Sequence, residues 1–219
     1  MPEFLTSRFL LTTLIAVAMI ILIAWLAARE QMAKRSRQVL ERLGESTYGR
    51  LALKRGPDAR GFEAAIAPAP EPFVQFAVTY ATASALDLPG MVVRTVRGGG
   101  NELVFLARLP ARPVAEILWE AGGIPGQAIG RRNHTSLWVR RHLDIVDADY
   151  VVRGANTRAI EHVFVDLQAR FHPLLRVIQV QADAEPEVRV VLQASGVNPQ
   201  EMPALVTSIR GLGRASQRS

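Results

Sequence analysis

The stretch FLLTTLIAVAMIILIAWLAAREQMAKRSRQ, Phe9 to Gln38, joins an uncharged apolar segment to a strongly basic one. The twenty residues from Phe9 to Ala28 contain no charge and no proline, and a helix of that length rises about 30 Å, the thickness of the hydrocarbon core of a bilayer. The stretch therefore predicts a transmembrane helix over residues 9–28. Two alternatives are weaker: small domains seldom bury a helix that is apolar on all sides, and cleaved signal peptides have shorter apolar regions.

Basic residues are distributed unequally around this segment. Arg8 alone precedes it closely, whereas several basic side chains follow it. Because Lys and Arg near the ends of a span favour the cytoplasmic side, we expect the C-terminal part of the chain to be cytoplasmic. The same side chains are expected to contact the bilayer through its anionic lipid head groups, or a membrane-protein partner: Arg29, Lys34, Arg35, Arg37 and Arg42.

Composition restricts the remaining chemistry. The net charge is +6, but the basic residues are interleaved with acids from Asp144 onward instead of forming one surface stripe, so no nucleic acid is expected as a partner. Cysteine is absent, which excludes disulfides, a thiolate nucleophile and cysteine-ligated metals. The 219 residues are enough for an anchor and one ordinary domain.

Between the span and the domain, the sequence predicts a basic helix over residues 29–44 that ends at Gly44, where a glycine can close a helix. Residues 45–72 follow, rich in proline and alanine, and predict a semi-rigid linker with one short strand, Arg50 to Lys54. The domain proper is expected over residues 73–219.

Within residues 73–219, stretches that alternate apolar and polar residues indicate strands. Short connections favour an antiparallel meander for the first five strands, and a hairpin around Asp183 to Pro186 for the last two. The period then changes to that of a helix in NTRAIEHVFVDLQARFHP, where Asn156 or Thr157 is the N-cap, and in NPQEMPALVTSIRGLG, which ends at Gly213. The order predicts an α+β domain in which an antiparallel sheet carries two amphipathic helices on one face.

The C-terminal part of the chain also carries a resemblance. The stretches DADYVVRGANTRAIEHVF (147–164) and RVIQVQADAEPEVRVVLQASGVNPQEMPALV (176–206) resemble the ending of uncharacterised bacterial single-pass membrane-anchored proteins that have a C-terminal α+β domain of unknown function. The resemblance implies a bacterial origin and a membrane anchor, and with the predicted cytoplasmic domain we expect the anchor to lie in the cell inner membrane. It implies no functional residue.

The chain shows none of the catalytic, metal-binding or phosphate-binding motifs that have a fixed spacing. The four histidines show no helical pairing and no H-E-x-x-H pattern. The glycine-rich stretches Gly98–Asn101 and Gly122–Gly130 lack the spacing of a phosphate-binding loop. We therefore predict no catalytic residue, no metal and no cofactor, and we interpret the chain as a non-enzyme.

One connection is unusually apolar for a loop: SALDLPGMVVRTVRGGG, Ser84 to Gly100. It is interpreted either as a short helix that covers the sheet or as a segment that contacts the membrane surface or a partner. In the second interpretation, the contact residues are Leu88, Met91, Val92, Val93, Arg94 and Arg97.

Together these patterns predict a membrane-anchored, non-catalytic accessory or scaffold protein of a bacterial membrane assembly. The alternative is a membrane-tethered enzyme or small-ligand sensor that uses a cleft near residues 122–134. A pocket that contains Arg131, His134 and Asp144 would favour that alternative.

Overall fold

A long N-terminal helix, α1 (Pro2–Thr47), opens the structure. The computed structural model describes residues 2–82, 101–122, 138–144 and 146–218. The predicted helices 9–28 and 29–44 are consecutive parts of α1, with no break between them. The helix does not end at Gly44, as the sequence predicts, but at Thr47, and Tyr48 takes the left-handed conformation with a φ of 54°. A Cβ at position 44 would lie 3.1 Å from the Leu51 side chain, so this glycine permits close packing of the strand that follows.

Within the described residues, nine strands form one antiparallel sheet in the order β1-β2-β3-β4-β9-β8-β5-β7-β6. The α+β prediction is therefore confirmed. The strands are β1 (Arg50–Asp58), β2 (Gly61–Ala67), β3 (Gln75–Ala81), β4 (Glu102–Arg108), β5 (Ala115–Glu120), β6 (Val139–Leu143), β7 (Ala148–Gly154), β8 (Leu175–Val180) and β9 (Val188–Gln193).

The strand order departs from the predicted meander after β4. The hairpin of β8 and β9 inserts between β4 and β5, so that β9 pairs with β4 and β8 pairs with β5. β5 then pairs with β7 instead of β6. Short connections favour a meander, but pairing of β4 with β9 buries Leu103 and Phe105 beside Leu192 and Val190, and burial of apolar surface outweighs loop length.

The segment predicted as a linker, residues 45–72, contains two paired strands, β1 and β2. Phe62, Ala64 and Ile66 alternate into the core. In the sequence this alternation is hard to see, because alanine at position 64 is only weakly apolar. Pro57 lies in β1, an edge strand, where the missing N–H leaves no ladder bond unmade. The remaining prolines of this segment follow β2. There the backbone N–H of Phe73 donates to the Pro70 carbonyl oxygen at 3.0 Å, so these residues form a turn before β3.

Two further helices cover the sheet: α2 (Thr157–Phe171) and α3 (Met202–Ser216). Both predicted apolar stripes are buried, but α3 continues past Gly213, where an added Cβ would lie 2.5 Å from Phe73 Cε1. The last quarter of α1 packs on the same face as α2 and α3, and one core results. Its largest buried side chains include Leu43, Phe62, Phe76, Tyr80, Phe105, Trp119, Ile160 and Phe164.

The opposite face of the sheet carries a smaller cluster of Leu118 and Val151, against which Trp138 packs. Beside it, the Arg153 guanidinium donates two hydrogen bonds to the Glu116 carboxylate, at 2.8 and 2.7 Å, and lies 4.9 Å from the centre of the Trp138 ring. Glu116 and Arg153 are cross-strand partners. This nearly buried ion pair fixes the register of β5 against β7.

Candidate functional site: the junction of helix and sheet

The N-terminal part of α1 is apolar and uncovered. From Leu11 onward, the apolar part of α1 is not buried by the rest of the chain. Leu14 and Ile20, for example, are 68% and 66% exposed. A helix of this length and composition can cross a membrane.

Between the apolar segment and the core lies a short exposed stretch of α1. Ser36 is the first fully buried residue after Ala28, and at 1.5 Å per residue the two are about 12 Å apart along the helix. Val39, Leu40 and Leu43 then pack into the core. The domain is therefore joined to the apolar segment by about two turns of continuous helix and not by a flexible linker.

One end of the sheet lies beside this stretch of α1, and we call it the proximal end. It comprises the turn between β1 and β2, the end of β3, the start of β4 and the turn after β9. Two neighbouring cavities separate it from α1. The outer cavity, of about 330 Å³, is lined by Trp25, Arg29, Met32, Asp58, Ala59, Arg60 and Thr82. The inner cavity, of about 220 Å³, is lined by Ala28, Gln31, Met32, Arg35, Tyr80, Thr82, Asn101 and Ser195.

Arg35 ties α1 to the proximal end. Its Nη2 donates to the carbonyl oxygens of Ser195, at 2.8 Å, and Val197, at 2.9 Å. These bonds join residues 160 and 162 positions apart in the chain, and no local pattern could have indicated them. Arg35 and Ser195 both line the inner cavity.

Tyr80 forms the wall of the inner cavity opposite α1. Its ring stacks on Phe62 with centroids 5.5 Å apart, and its hydroxyl is buried without a hydrogen-bond partner among the described residues. Burial raises the pKa of the hydroxyl, and the positive charge of Arg35 opposes that rise. The sequence predicts Tyr80 only as an inward strand residue, because a tyrosine in an apolar position gives no sign of an unpaired hydroxyl.

The predicted lipid-contact residues of α1 occupy different environments. Arg29 lies in the outer cavity, with its guanidinium 5.3 Å from the centre of the Trp25 ring. Lys34 is exposed and pairs with Glu30 at 2.9 Å, and Arg37 is exposed. Arg42 pairs with Glu45 and lies about 21 Å along the helix from Ala28. The structure thus brings Arg29 and Arg35 to the two cavities and does not bring Arg42 there.

The predicted contact residues Leu88, Met91, Val92, Val93, Arg94 and Arg97 lie outside the described residues. The described residues that flank this segment are Thr82 and Asn101, and both line the inner cavity. The two points at which this segment joins the described structure therefore both lie at the proximal end.

The alternative cleft near residues 122–134 is only partly described, since Arg131 and His134 lie outside the described ranges. A third cavity, of about 410 Å³, lies beside this region. Its lining includes Gly122, Trp119, Asp147, Asp149, His172 and Arg176. In the part of the chain that is described, no group of three or more histidine and carboxylate side chains is arranged to hold a metal ion.

His142 is the histidine nearest to carboxylates in this region. Its Nδ1 lies 3.0 Å from Asp149 Oδ1, and this hydrogen bond raises the pKa of His142. The pKa of Asp149 is lowered by its hydrogen bonds to Arg140 and His142. Asp144 lies 3.5 Å from His142 Nε2 but points into solvent, with 99% of its side chain exposed. The group fixes β6 against β7 at the surface.

Comparison with known proteins does not assign the chain to a family. No protein-family model matches the chain, and no curated protein is significantly similar to it. Function is therefore inferred from geometry and charge.

Proposed function

We propose that this chain is a single-pass protein of a bacterial inner membrane whose cytoplasmic domain is a non-catalytic accessory or scaffold part of a membrane assembly. The observation that carries the proposal is the continuity of α1 from the apolar segment into the domain core. A helical connection holds the domain at one height and in one orientation above the bilayer, which a scaffold needs. A domain that meets soluble substrates works equally well on a flexible tether.

The orientation is supported by the charge asymmetry around the apolar segment. A reporter enzyme fused after Ser219 should be active only in the cytoplasm, and activity in the periplasm would contradict the proposed side. Replacement of Arg29, Lys34, Arg35, Arg37 and Arg42 together by Gln should make the orientation mixed.

The scaffold role is tested by freeing the domain from its span. Insertion of Gly-Ser-Gly-Ser-Gly-Ser after Ala28 interrupts the helix, while the same residues added after Ser219 provide a matched control. The tagged full chain, purified from native membranes in mild detergent, should bring a membrane-protein partner in fixed stoichiometry. We expect the partner to be lost with the insertion and kept with the control. A chain that purifies alone, or keeps its partner equally in both variants, contradicts the proposal.

The third cavity, which Gly122 lines, favours a second candidate function, that of a small-ligand sensor. A metabolite that raises the melting temperature of the chain, and does not do so when Arg176 is replaced by Ala, would support it.

A further inference from the structure

We propose that the two cavities between α1 and the proximal end of the sheet form a specific binding site for the phosphate and head group of one anionic phospholipid. The inference rests on the membrane placement in the proposed function but not on the scaffold role. It goes beyond diffuse attraction of basic residues to the bilayer, because it assigns a defined pocket with named donors.

The position of the cavities matches the depth of lipid head groups. The head-group layer extends about 5–8 Å beyond each side of the hydrocarbon core. Arg29 and Met32 follow Ala28, the last residue of the apolar segment, within about 6 Å along the helix. Trp25 lines the outer cavity, and tryptophan is enriched at membrane–water interfaces.

The charges of the cavities suit a single anion. Three arginines line them, Arg29, Arg35 and Arg60, against one carboxylate, Asp58. None of the three guanidinium groups forms an ion pair within the described ranges, whereas Lys34 and Arg42 on the same helix are paired. Asp58 already accepts a hydrogen bond from the backbone N–H of Arg60. Unpaired arginines at one pocket are the usual ligands of phosphate.

The inner cavity supplies donors for the head group beyond the phosphate. The Tyr80 hydroxyl is buried there without a partner in the described structure, and an unmet hydroxyl in an apolar surrounding costs free energy. Ser195 Oγ accepts from the Gln193 side chain at 3.1 Å, so its own proton is available to a ligand. Met32 lines both cavities, and its flexible side chain can adapt to a bound head group.

The inner cavity has room for a polar group larger than one water. Its volume is about 220 Å³, whereas one water needs only about 10–15 Å³ of such space. Met32 and Ala28 provide an apolar wall that accommodates the glycerol carbons of the lipid.

The test uses the full chain in neutral detergent and measures bound lipid by native mass spectrometry with added phosphatidylglycerol. The double variant Arg29→Gln, Arg60→Gln should bind phosphatidylglycerol about tenfold more weakly. The matched control Lys34→Gln, Arg37→Gln removes the same charge from exposed positions of α1 and should change affinity by less than about twofold. An equal loss of lipid affinity in both variants would mean that the attraction is diffuse. An unchanged affinity in both variants would mean that there is no site here. Either result overturns the inference.

A second variant and two other ligands complete the test. Tyr80→Phe should keep or raise the melting temperature of the lipid-free chain, because it removes an unpaired buried hydroxyl, and should weaken phosphatidylglycerol binding. Unchanged binding would show that Tyr80 is not part of the site.

Phosphatidylcholine should bind more weakly than phosphatidylglycerol. Inorganic phosphate at millimolar concentration should not displace the lipid; displacement would mean a free-phosphate site and overturn the lipid assignment. If the chain binds lipid here but co-purifies with no protein partner from native membranes, the result supports the lipid site and contradicts the scaffold role alone.

Discussion

Two parts of α1 both carry apolar side chains, but these side chains lie in different surroundings. From Leu11 to Ala28 the helix is apolar on every side and uncovered, and Leu14 is 68% exposed. From Ser36 to Thr47 only one side is apolar, and Leu43 on that side is fully buried by the domain. The difference shows that the distribution of apolar residues around a helix, more than their number, indicates what covers it.

The comparison predicts its largest effect for removal of the second part. A shortened chain that starts at Gln31 keeps the docked part of α1 and should unfold cooperatively. A chain that starts at Phe73 matches the boundary expected from sequence, but it lacks this part together with β1 and β2, and exposes the Phe76 and Tyr80 side of the core. We expect it to aggregate or to show no cooperative transition. Cooperative melting of the Phe73 chain would mean that α1 does not contribute to the core.

A single leucine in each part gives a matched pair. Leu43→Ala should lower the free energy of unfolding by about 2–5 kcal/mol, because it leaves a cavity in a packed core. Leu22→Ala, in the apolar segment, should change it by less than about 0.5 kcal/mol. Denaturant titration of the full chain in detergent measures both. Similar values for the two variants would contradict the docking of α1.

The hydrogen bonds of Arg35 provide a smaller effect at the boundary between the two parts. Arg35→Met removes the donors to Ser195 and Val197 and should cost about 1–3 kcal/mol of unfolding free energy. Arg37→Met, an exposed change two residues away, should be nearly neutral. If the two variants melt at the same temperature, the clamp contributes nothing to stability.

The smallest effect is expected far from α1, at His142. Its pKa is raised by Asp149, so the interaction stabilises the fold below the ordinary pKa of histidine and is lost as the pH rises through the higher, folded-state value. Asp149→Asn should move the pKa of His142 down towards its ordinary value in an NMR titration, and Asp144→Asn should move it less. An unchanged His142 pKa in Asp149→Asn would show that the pair does not form in solution.

The sequence predicts most of the local structure and little of its arrangement. The stripes of α2 and α3, and the alternation in β3 and β4, are local patterns, and the structure confirms them. Of the hairpin of β1 and β2, only the strand Arg50 to Lys54 is predicted; the rest is missed because alanines and Pro57 weaken the strand signal. Gly44 and Gly213 are wrongly predicted as helix ends. The sequence alone does not distinguish a glycine that permits close packing within a helix from one that takes a left-handed conformation at its end.

The candidate site is less predictable than the fold. Arg29 and Arg35 are found from charge and from their place after the apolar segment. Arg60 and Tyr80 are not found, because their approach to α1 depends on the β1–β2 turn and on β3 reaching the same end of the sheet. Long-range contacts of this kind leave no periodic signal in one sequence.

The central claim is that the domain and the apolar segment move as one body. The chain contains no cysteine, so two introduced cysteines can be labelled specifically, one in the apolar segment, Ala18→Cys, and one on an exposed strand position, Arg189→Cys. Electron–electron double resonance on the labelled full chain in lipid nanodiscs should give a single narrow distance distribution. The Gly-Ser insertion after Ala28 should broaden it. A distribution that is already broad without the insertion would contradict the account.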